Sequence, residues 1–192
     1  HGLNSLTGEW DYIEPVLFGY GVGKLLESFI NYNLSQNDKI AVQFHEWMTG
    51  AGILYLKEKM PQVATVFTTH ATVIGRCTAG NGLPLYEKLT SIDTEEVSKE
   101  YNVVSKQSLE QLSAKTADCF TTVSALTAQE CKYFLKKEVD IITPNGFEGS
   151  FISTPEKLEE KRKIARNKLF EVSKALLGSN ISEDTILIAN SG

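Results

Sequence analysis

Two of the three histidines in this chain stand directly after apolar, β-branched runs. His45 follows Ile40-Ala41-Val42-Gln43-Phe44, and His70 follows Val63-Ala64-Thr65-Val66-Phe67-Thr68-Thr69. Such runs read as strands buried on both faces, as in a parallel sheet. In open parallel α/β sheets, ligands bind at the carboxyl ends of the strands. A neutral imidazole there can donate or accept a hydrogen bond to a ligand, and it can equally bond a neighbouring loop. Glu46 and Trp47 follow His45 directly. A carboxylate at that edge can accept hydrogen bonds from sugar hydroxyls. The indole can stack on a sugar face or pack in the core, which large aromatics commonly do.

Other motifs are weaker. Gly19, Gly21 and Gly23 form a GxGxG, but it opens a helical run instead of joining a strand to a helix. The phosphate-cradling context is therefore absent, and helix packing is the expected use. Thr143-Pro144-Asn145-Gly146 has turn composition. The sequence contains no nucleophile elbow, Walker sequence or metal-ligand spacing. Cys77, Cys119 and Cys131 are odd in number, widely spaced and without CxxC, which fits reduced thiols in a cytoplasmic protein.

The elements that must carry these residues follow from periodicity. Strands are expected at 39–44, 63–68, 119–123, 139–142 and 185–189. Helical patterns lie between them: 16–32 with Pro15 placed to start it, 48–59 stopped by Pro61, 105–116, and 125–137 with Ser124 as cap. Strand alternating with helix predicts an α/β fold with a Rossmann-like parallel sheet. Residues 76–101 break this rhythm and are expected to form an excursion with one short helix near Leu85–Leu89. From Pro155 the chain becomes highly charged, with a helical pattern over 156–177 and one apolar face. The last expected strand closes the series with no helix to cover it, which reads as an interrupted pattern.

Bulk properties agree with a globular domain. The 192 residues are 42% hydrophobic and 22% charged. The formal net charge of −5 argues against a surface that coats nucleic acid, which needs a clustered positive field. No apolar run reaches the roughly 18 residues of a membrane span. The first residues do not read as a signal peptide.

Three segments, in order, resemble glycogen synthase of the animal and fungal type, glycosyltransferase family 3. They are Phe44-His45-Glu46-Trp47 with Gly50; Phe67-Thr68-Thr69-His70-Ala71-Thr72 with Gly75-Arg76; and Ala117-Asp118-Cys119-Phe120-Thr121-Thr122-Val123-Ser124 leading to Pro144-Asn145-Gly146. The similarity covers most of residues 18–147. The resemblance implies part of a two-domain GT-B glycosyltransferase. Residues 1–150 would be the N-terminal Rossmann-like domain lacking its first strands. Residues 151–192 would be a connecting helix and the first strand of the second domain.

The implied reaction transfers glucose from UDP-glucose to the non-reducing end of an α-1,4-glucan, with retention and without a metal or other cofactor. It assigns catalytic roles to His70 and Glu46. It sets His45, Trp47, Thr69, Arg76, Asn145 and Gly146 along the substrates. Asn145 and Gly146 fall where the chain crosses towards the second domain, and a glycine suits a hinge there. The expected partners are the sugar nucleotide and a glucan, with neither nucleic acid nor membrane, and a homo-oligomer in the full-length protein.

The family's Gly-rich loop and its diphosphate-binding Arg and Lys have no counterpart here, so the chain by itself is expected to be inactive. Val104-Ser105-Lys106-Gln107-Ser108 stands where eukaryotic members carry a Tyr-, His- and Arg-rich segment, a departure that bears on oligomer contacts and regulation. Two alternatives accompany this reading: a sucrose- or trehalose-synthase-like enzyme of the same architecture, and a non-catalytic Rossmann-like binding module.

Overall fold

A computed structural model describes residues 10–35, 37–182 and 184–188. Contacts divide the chain into two compact units, one up to Asn145 and one from Gly146.

In the first unit, α1 (Trp10–Asn33) precedes β1 (Ala41–His45). A short 3-10 turn (Trp47–Thr49) leads into α2 (Gly50–Lys59), then β2 (Ala64–Thr69) and α3 (Val73–Gly80). Next come α4 (Thr94–Glu100), α5 (Val104–Thr116), β3 (Cys119–Thr122), α6 (Ala125–Glu130) with a π turn (Cys131–Leu135), and β4 (Ile141–Ile142). The strands pair in the order β1-β2-β3-β4, all parallel. Parallel neighbours need long crossovers, and the helices between the strands supply them.

One row of side chains fixes the core. Phe44 is in register with Phe67, and Phe67 with Phe120. All three are buried, and the rings of Phe67 and Phe120 stack at 5.7 Å between centroids. Ile53, Leu56 and Leu135 join the same cluster. Full burial of each ring contributes about 1.5–3 kcal/mol. The next row, His45, Thr68 and Thr121, lies on the other face because side chains alternate along a strand. There Thr68 and Thr121 share a hydroxyl hydrogen bond of 2.7 Å.

Of the α1 glycines, Gly19 and Gly23 serve helix packing, as expected, whereas Gly21 is exposed and a Cβ there would meet nothing. A Cβ on Gly52 would lie 2.8 Å from the Gly19 carbonyl oxygen and 2.5 Å from a Phe44 ring carbon. A Cβ on Gly23 would lie 2.9 Å from the Tyr55 ring. The absence of side chains at these points brings α1 and α2 together.

At the amino-terminal end of the sheet, Asp118 ties β2 to α2. Its carboxylate accepts from Lys57 at 2.6 and 2.5 Å and from the Thr65 N–H at 2.7 Å. These contacts, Lys57 foremost, hold its carboxyl below its usual range.

Several expectations need correction. Pro15 lies inside α1 instead of starting it, because Trp10–Glu14 are already helical. With no N–H, proline gives up one bond of the helical ladder there. Residues 85–89 form turns and no helix; Leu85 and Leu89 are buried beside Val73, Ile74 and Phe134. Residues 76–80 already belong to α3, and the helix of the remaining excursion lies further on, at α4. Its N-cap Asp93 accepts from the Glu95 and Glu96 N–H groups at 2.8 and 3.1 Å. Asp93, Glu95 and Glu96 are thus the acidic first turn of a helix, favoured by its dipole.

In the second unit, α7 (Pro155–Leu177) ends at Gly178, which takes the left-handed conformation at φ 70°. The predicted strand at 185–189 is not formed over the described residues 185–188. Ile186 and Ile188 are 84% and 93% exposed there. A strand needs a ladder partner, and none of the described residues pairs with this segment. Ala189 lies outside the described residues. The Arg166 guanidinium donates to the Thr185 carbonyl at 2.8 Å and stacks over the Phe170 ring.

Candidate functional site

The site is built where β1 and β2 end side by side. β1 ends at His45, and the chain then turns sharply at Glu46, whose φ of 64° and ψ of 160° are unusual for a residue with a side chain. Hydrogen bonds on both sides hold this turn. The Glu46 N–H donates to the Thr68 carbonyl at 2.9 Å, and Thr49 donates from its N–H to the Glu46 carbonyl and from its hydroxyl to the His45 carbonyl. The turn brings the Glu46 side chain across to the neighbouring strand. Its Oε1 accepts the His70 backbone N–H at 2.9 Å, and the Arg76 guanidinium stands 3.8 Å from that oxygen.

The two histidines meet. His45 Nδ1 and His70 Nε2 are 3.1 Å apart, close enough for one ring to donate to the other. The rings are tilted by 33°, with centroids 5.3 Å apart. His45 is exposed and His70 half-buried. The sequence-predicted His45, Glu46, His70 and Arg76 are therefore one cluster at the carboxyl edge of the sheet.

The other predicted positions lie differently. Thr69 is fully buried, with its hydroxyl 3.1 Å from Glu110 Oε1 and 3.3 Å from the Ala71 carbonyl, so it serves the inside of the loop. Trp47 is half-buried, stacked on Tyr12 at 6.1 Å with the Lys106 ammonium over its ring. Asn145 and Gly146 are exposed and fall at the boundary between the two compact units.

Beneath the loop lie two carboxyl side chains that sequence reasoning missed. Glu110 on α5 is 0% exposed and Glu130 at the end of α6 is 4% exposed. Glu110 accepts the Val73 N–H at 3.0 Å. Glu130 accepts the hydroxyls of Thr72 at 2.7 Å and Tyr86 at 3.0 Å. Thr72 also caps α3, accepting the Gly75 N–H at 3.0 Å. Burial pushes the Glu110 carboxyl up to about 8; the nearby Glu46 and Glu130 push the same way, and the bonds from Val73 and Thr69 oppose it. Burial likewise raises the Tyr86 phenol. No local signal marks them: beside Leu109 and Cys131 each reads as an ordinary helix-surface carboxylate.

Chemically, this edge offers an imidazole pair with one fixed internal bond, a carboxylate anchoring the backbone beside it, and an exposed guanidinium. It can hydrogen-bond a polyhydroxylated ligand and offer one cation to an anionic one. Among the described residues, no group of three or more His, Cys, Asp or Glu side chains is placed to hold a metal ion. No helix among them is long and apolar enough to cross a membrane.

Residues 7–175 match the family model described as Glycogen synthase. Among curated proteins, the chain is 35% identical over 140 residues to glycogen [starch] synthase of Dictyostelium discoideum, covering 73% of this chain and 16% of that protein. It is 35% identical over 133 residues to the Caenorhabditis elegans glycogen [starch] synthase, covering 69% of this chain and 20% of that one. It is 33% identical over 147 residues to glycogen [starch] synthase isoform 2 of Saccharomyces cerevisiae, covering 76% of this chain and 20% of that one. The chain thus spans at most about a fifth of the length of these relatives.

Proposed function

The chain belongs to the glycogen synthase family, and from that premise we propose that it forms one wall of the donor-sugar site of a retaining glycosyltransferase. The reaction is transfer of glucose from UDP-glucose to the non-reducing end of an α-1,4-glucan. The observation that carries the reading is the cluster at the carboxyl edge, where His70, His45 and Glu46 from adjacent strand ends are bonded together.

In this reading the His70 ring hydrogen-bonds the glucose held at the strand end. Catalysis gains from such a bond only if it strengthens as the glycosidic bond breaks. Preorganisation is therefore what the protein must supply. Glu46 holds the His70 backbone, and His45 occupies one ring nitrogen and fixes its orientation. Arg76, 64% exposed at its side chain, is the cation of the cluster that can reach a phosphate. A departing nucleoside diphosphate needs more positive charge than one arginine. The remaining cations then come from the rest of a longer polypeptide, in keeping with the share of the relatives that this chain covers. No metal takes part in this scheme. The full-length protein is expected to work in the cytoplasm as a homo-oligomer.

The test is incorporation of labelled glucose into glycogen by the full-length polypeptide carrying this segment, with UDP-, ADP- and GDP-glucose offered in parallel. Transfer from UDP-glucose with retained configuration supports the reading. Transfer from no sugar nucleotide defeats it, and so does transfer by residues 1–192 alone.

A further inference from the structure

His70 lies within a loop whose two ends are joined by a single buried side chain. Thr69 ends β2, and Val73 begins α3. Glu110, reaching up from α5, touches both: Oε1 is 3.1 Å from the Thr69 hydroxyl, and Oε2 accepts the Val73 N–H at 3.0 Å. Glu130 braces the same loop from the end of α6 by accepting the Thr72 hydroxyl, and Glu46, just after β1, holds the His70 N–H. The loop around His70 is therefore held by backbone at His70 and Val73 and by hydroxyls at Thr69 and Thr72, and Glu110 makes two of those attachments.

A carboxyl group is a costly choice for this place. Glu110 is completely buried, and a leucine would fill similar space without desolvating a polar group. What a carboxyl offers and a leucine does not is a rigid fork of two oxygens that can bracket residues 70–72. We propose that Glu110 is a positioning residue for the proposed transfer reaction, holding the strand-end loop so that the His70 ring is aimed at the sugar. The inference rests on the function proposed above for His70.

Hydrogen-bond accounting specifies how the fork works. The Val73 N–H can only donate, so one oxygen of Glu110 must accept. The Thr69 hydroxyl has one hydrogen and two candidate acceptors, Glu110 Oε1 and the Ala71 carbonyl at 3.3 Å. When Glu110 carries a proton and donates it to Thr69, the Thr69 hydroxyl is free to donate to Ala71. Every group is then satisfied, and a chain of bonds runs from α5 through Thr69 to the residue after His70. Glutamine at position 110 reproduces this pattern, with its amide N–H2 donating to Thr69 and its oxygen accepting from Val73. Leucine reproduces neither bond.

The experiment compares Glu110→Gln and Glu110→Leu in the full-length polypeptide, reading kcat, donor KM and hydrogen exchange of the Val73 amide. The glutamine variant should keep kcat within about twofold of the parent. The leucine variant, if folded, should lose about tenfold or more in kcat with a smaller change in KM, since misplacing a catalytic group costs turnover. Its Val73 amide should exchange faster, whereas the glutamine variant's should stay protected. A folded leucine variant with parental kcat or unchanged Val73 exchange overturns the inference, and so does a glutamine variant as impaired as the leucine one.

Should the leucine variant not fold, Thr69→Val removes the strand-end attachment together with the Thr69–Ala71 bond and leaves the Glu110 bond to Val73 in place. It must then lower kcat and speed Val73 exchange, and parental behaviour in both overturns the inference. Failure of the unaltered protein to transfer glucose would sink the proposed function, but Val73 exchange in the two Glu110 variants would still judge the clamp.

Discussion

His45 and His70 end adjacent strands, and their rings are joined through Nδ1 of the first and Nε2 of the second at 3.1 Å. One of these nitrogens must carry a hydrogen and the other a lone pair, so the two rings cannot both be imidazolium while the bond exists. Each ring thereby sets the tautomer of the other. The pair should behave as a unit when mutated. His70→Ala is expected to lower kcat about 10²-fold in the full-length enzyme, the scale of one lost transition-state hydrogen bond. His45→Ala should cost less, about tenfold, because its effect passes through His70. The double variant should be no slower than His70→Ala alone. Strictly additive losses in a double-mutant cycle would show that the rings act independently.

Gly75 on α3 stands against the Glu130 carboxyl of α6. A Cβ at this position would lie 2.2 Å from Glu130 Oε2 and 2.7 Å from the Thr72 hydroxyl. Neither neighbour can yield freely, since each holds the other at 2.7 Å and Tyr86 holds Glu130 as well. Gly75→Ala should therefore destabilise the protein by about 1–3 kcal/mol, the usual cost of overpacking. It should also reduce turnover, because it disturbs the loop that carries His70. Urea unfolding and kcat measured together check both; a variant unaltered in both would mean that the carboxyl group moves aside without cost.

The two ends of the sheet should separate stability from activity. Asp118 lies at the amino-terminal end, bonded to Lys57 and Thr65, while the histidine cluster lies at the carboxyl end. Its side chain is 48% exposed, so solvent weakens the ion pair with Lys57. Asp118→Ala, which removes the acceptor altogether, should cost about 1 kcal/mol of stability, mostly through the bonds to Thr65. It should leave kcat of the full-length enzyme within about twofold. A large loss of kcat with normal stability would mean that the functional edge had been assigned to the wrong end.

The parallel sheet and its carboxyl edge were legible because each rests on a local pattern. Phe44, Phe67 and Phe120 sit in short apolar, β-branched runs that read as strands, and His45 and His70 follow two of them directly. Glu110 and Glu130 were not legible. A glutamate on a helix ordinarily faces water, and only the packing of α5 and α6 against the β2–α3 loop buries these two. The segment at 185–188 failed in the opposite sense: Ile186, Leu187 and Ile188 have strand composition, but pairing depends on a partner, which composition cannot supply. The bond between His45 and His70 also lay beyond the sequence, because it depends on the register that sets His45 against Thr68.

The pH dependence of stability should carry the signature of Glu110. Its carboxyl is raised from an ordinary 4.5 to about 8, so the folded protein holds this proton more tightly than the unfolded chain. Stability from this group is fully present below 4.5 and is lost as pH rises towards and through about 8. Its titratable neighbours are Glu46, Glu130 and the thiol of Cys131; the two carboxylates push it upward, while burial raises the thiol itself. Asp118 acts with the opposite sign. Its carboxyl is lowered, so its contribution is present above its ordinary value and fades in acid. A tenfold change in proton affinity on folding is worth about 1.4 kcal/mol, which makes the fully buried Glu110 the larger lever. The urea midpoint of the parent chain should therefore decline from about pH 4.5 to about pH 8 and level off above that, once the folded protein also gives up the Glu110 proton. Glu110→Gln, which cannot ionise, should flatten that decline while leaving the loss in acid unchanged. Parallel curves for the two proteins between about pH 4.5 and 8 would show that Glu110 is not protonated in the folded state, and the bond pattern running from it through Thr69 to Ala71 would have to be abandoned.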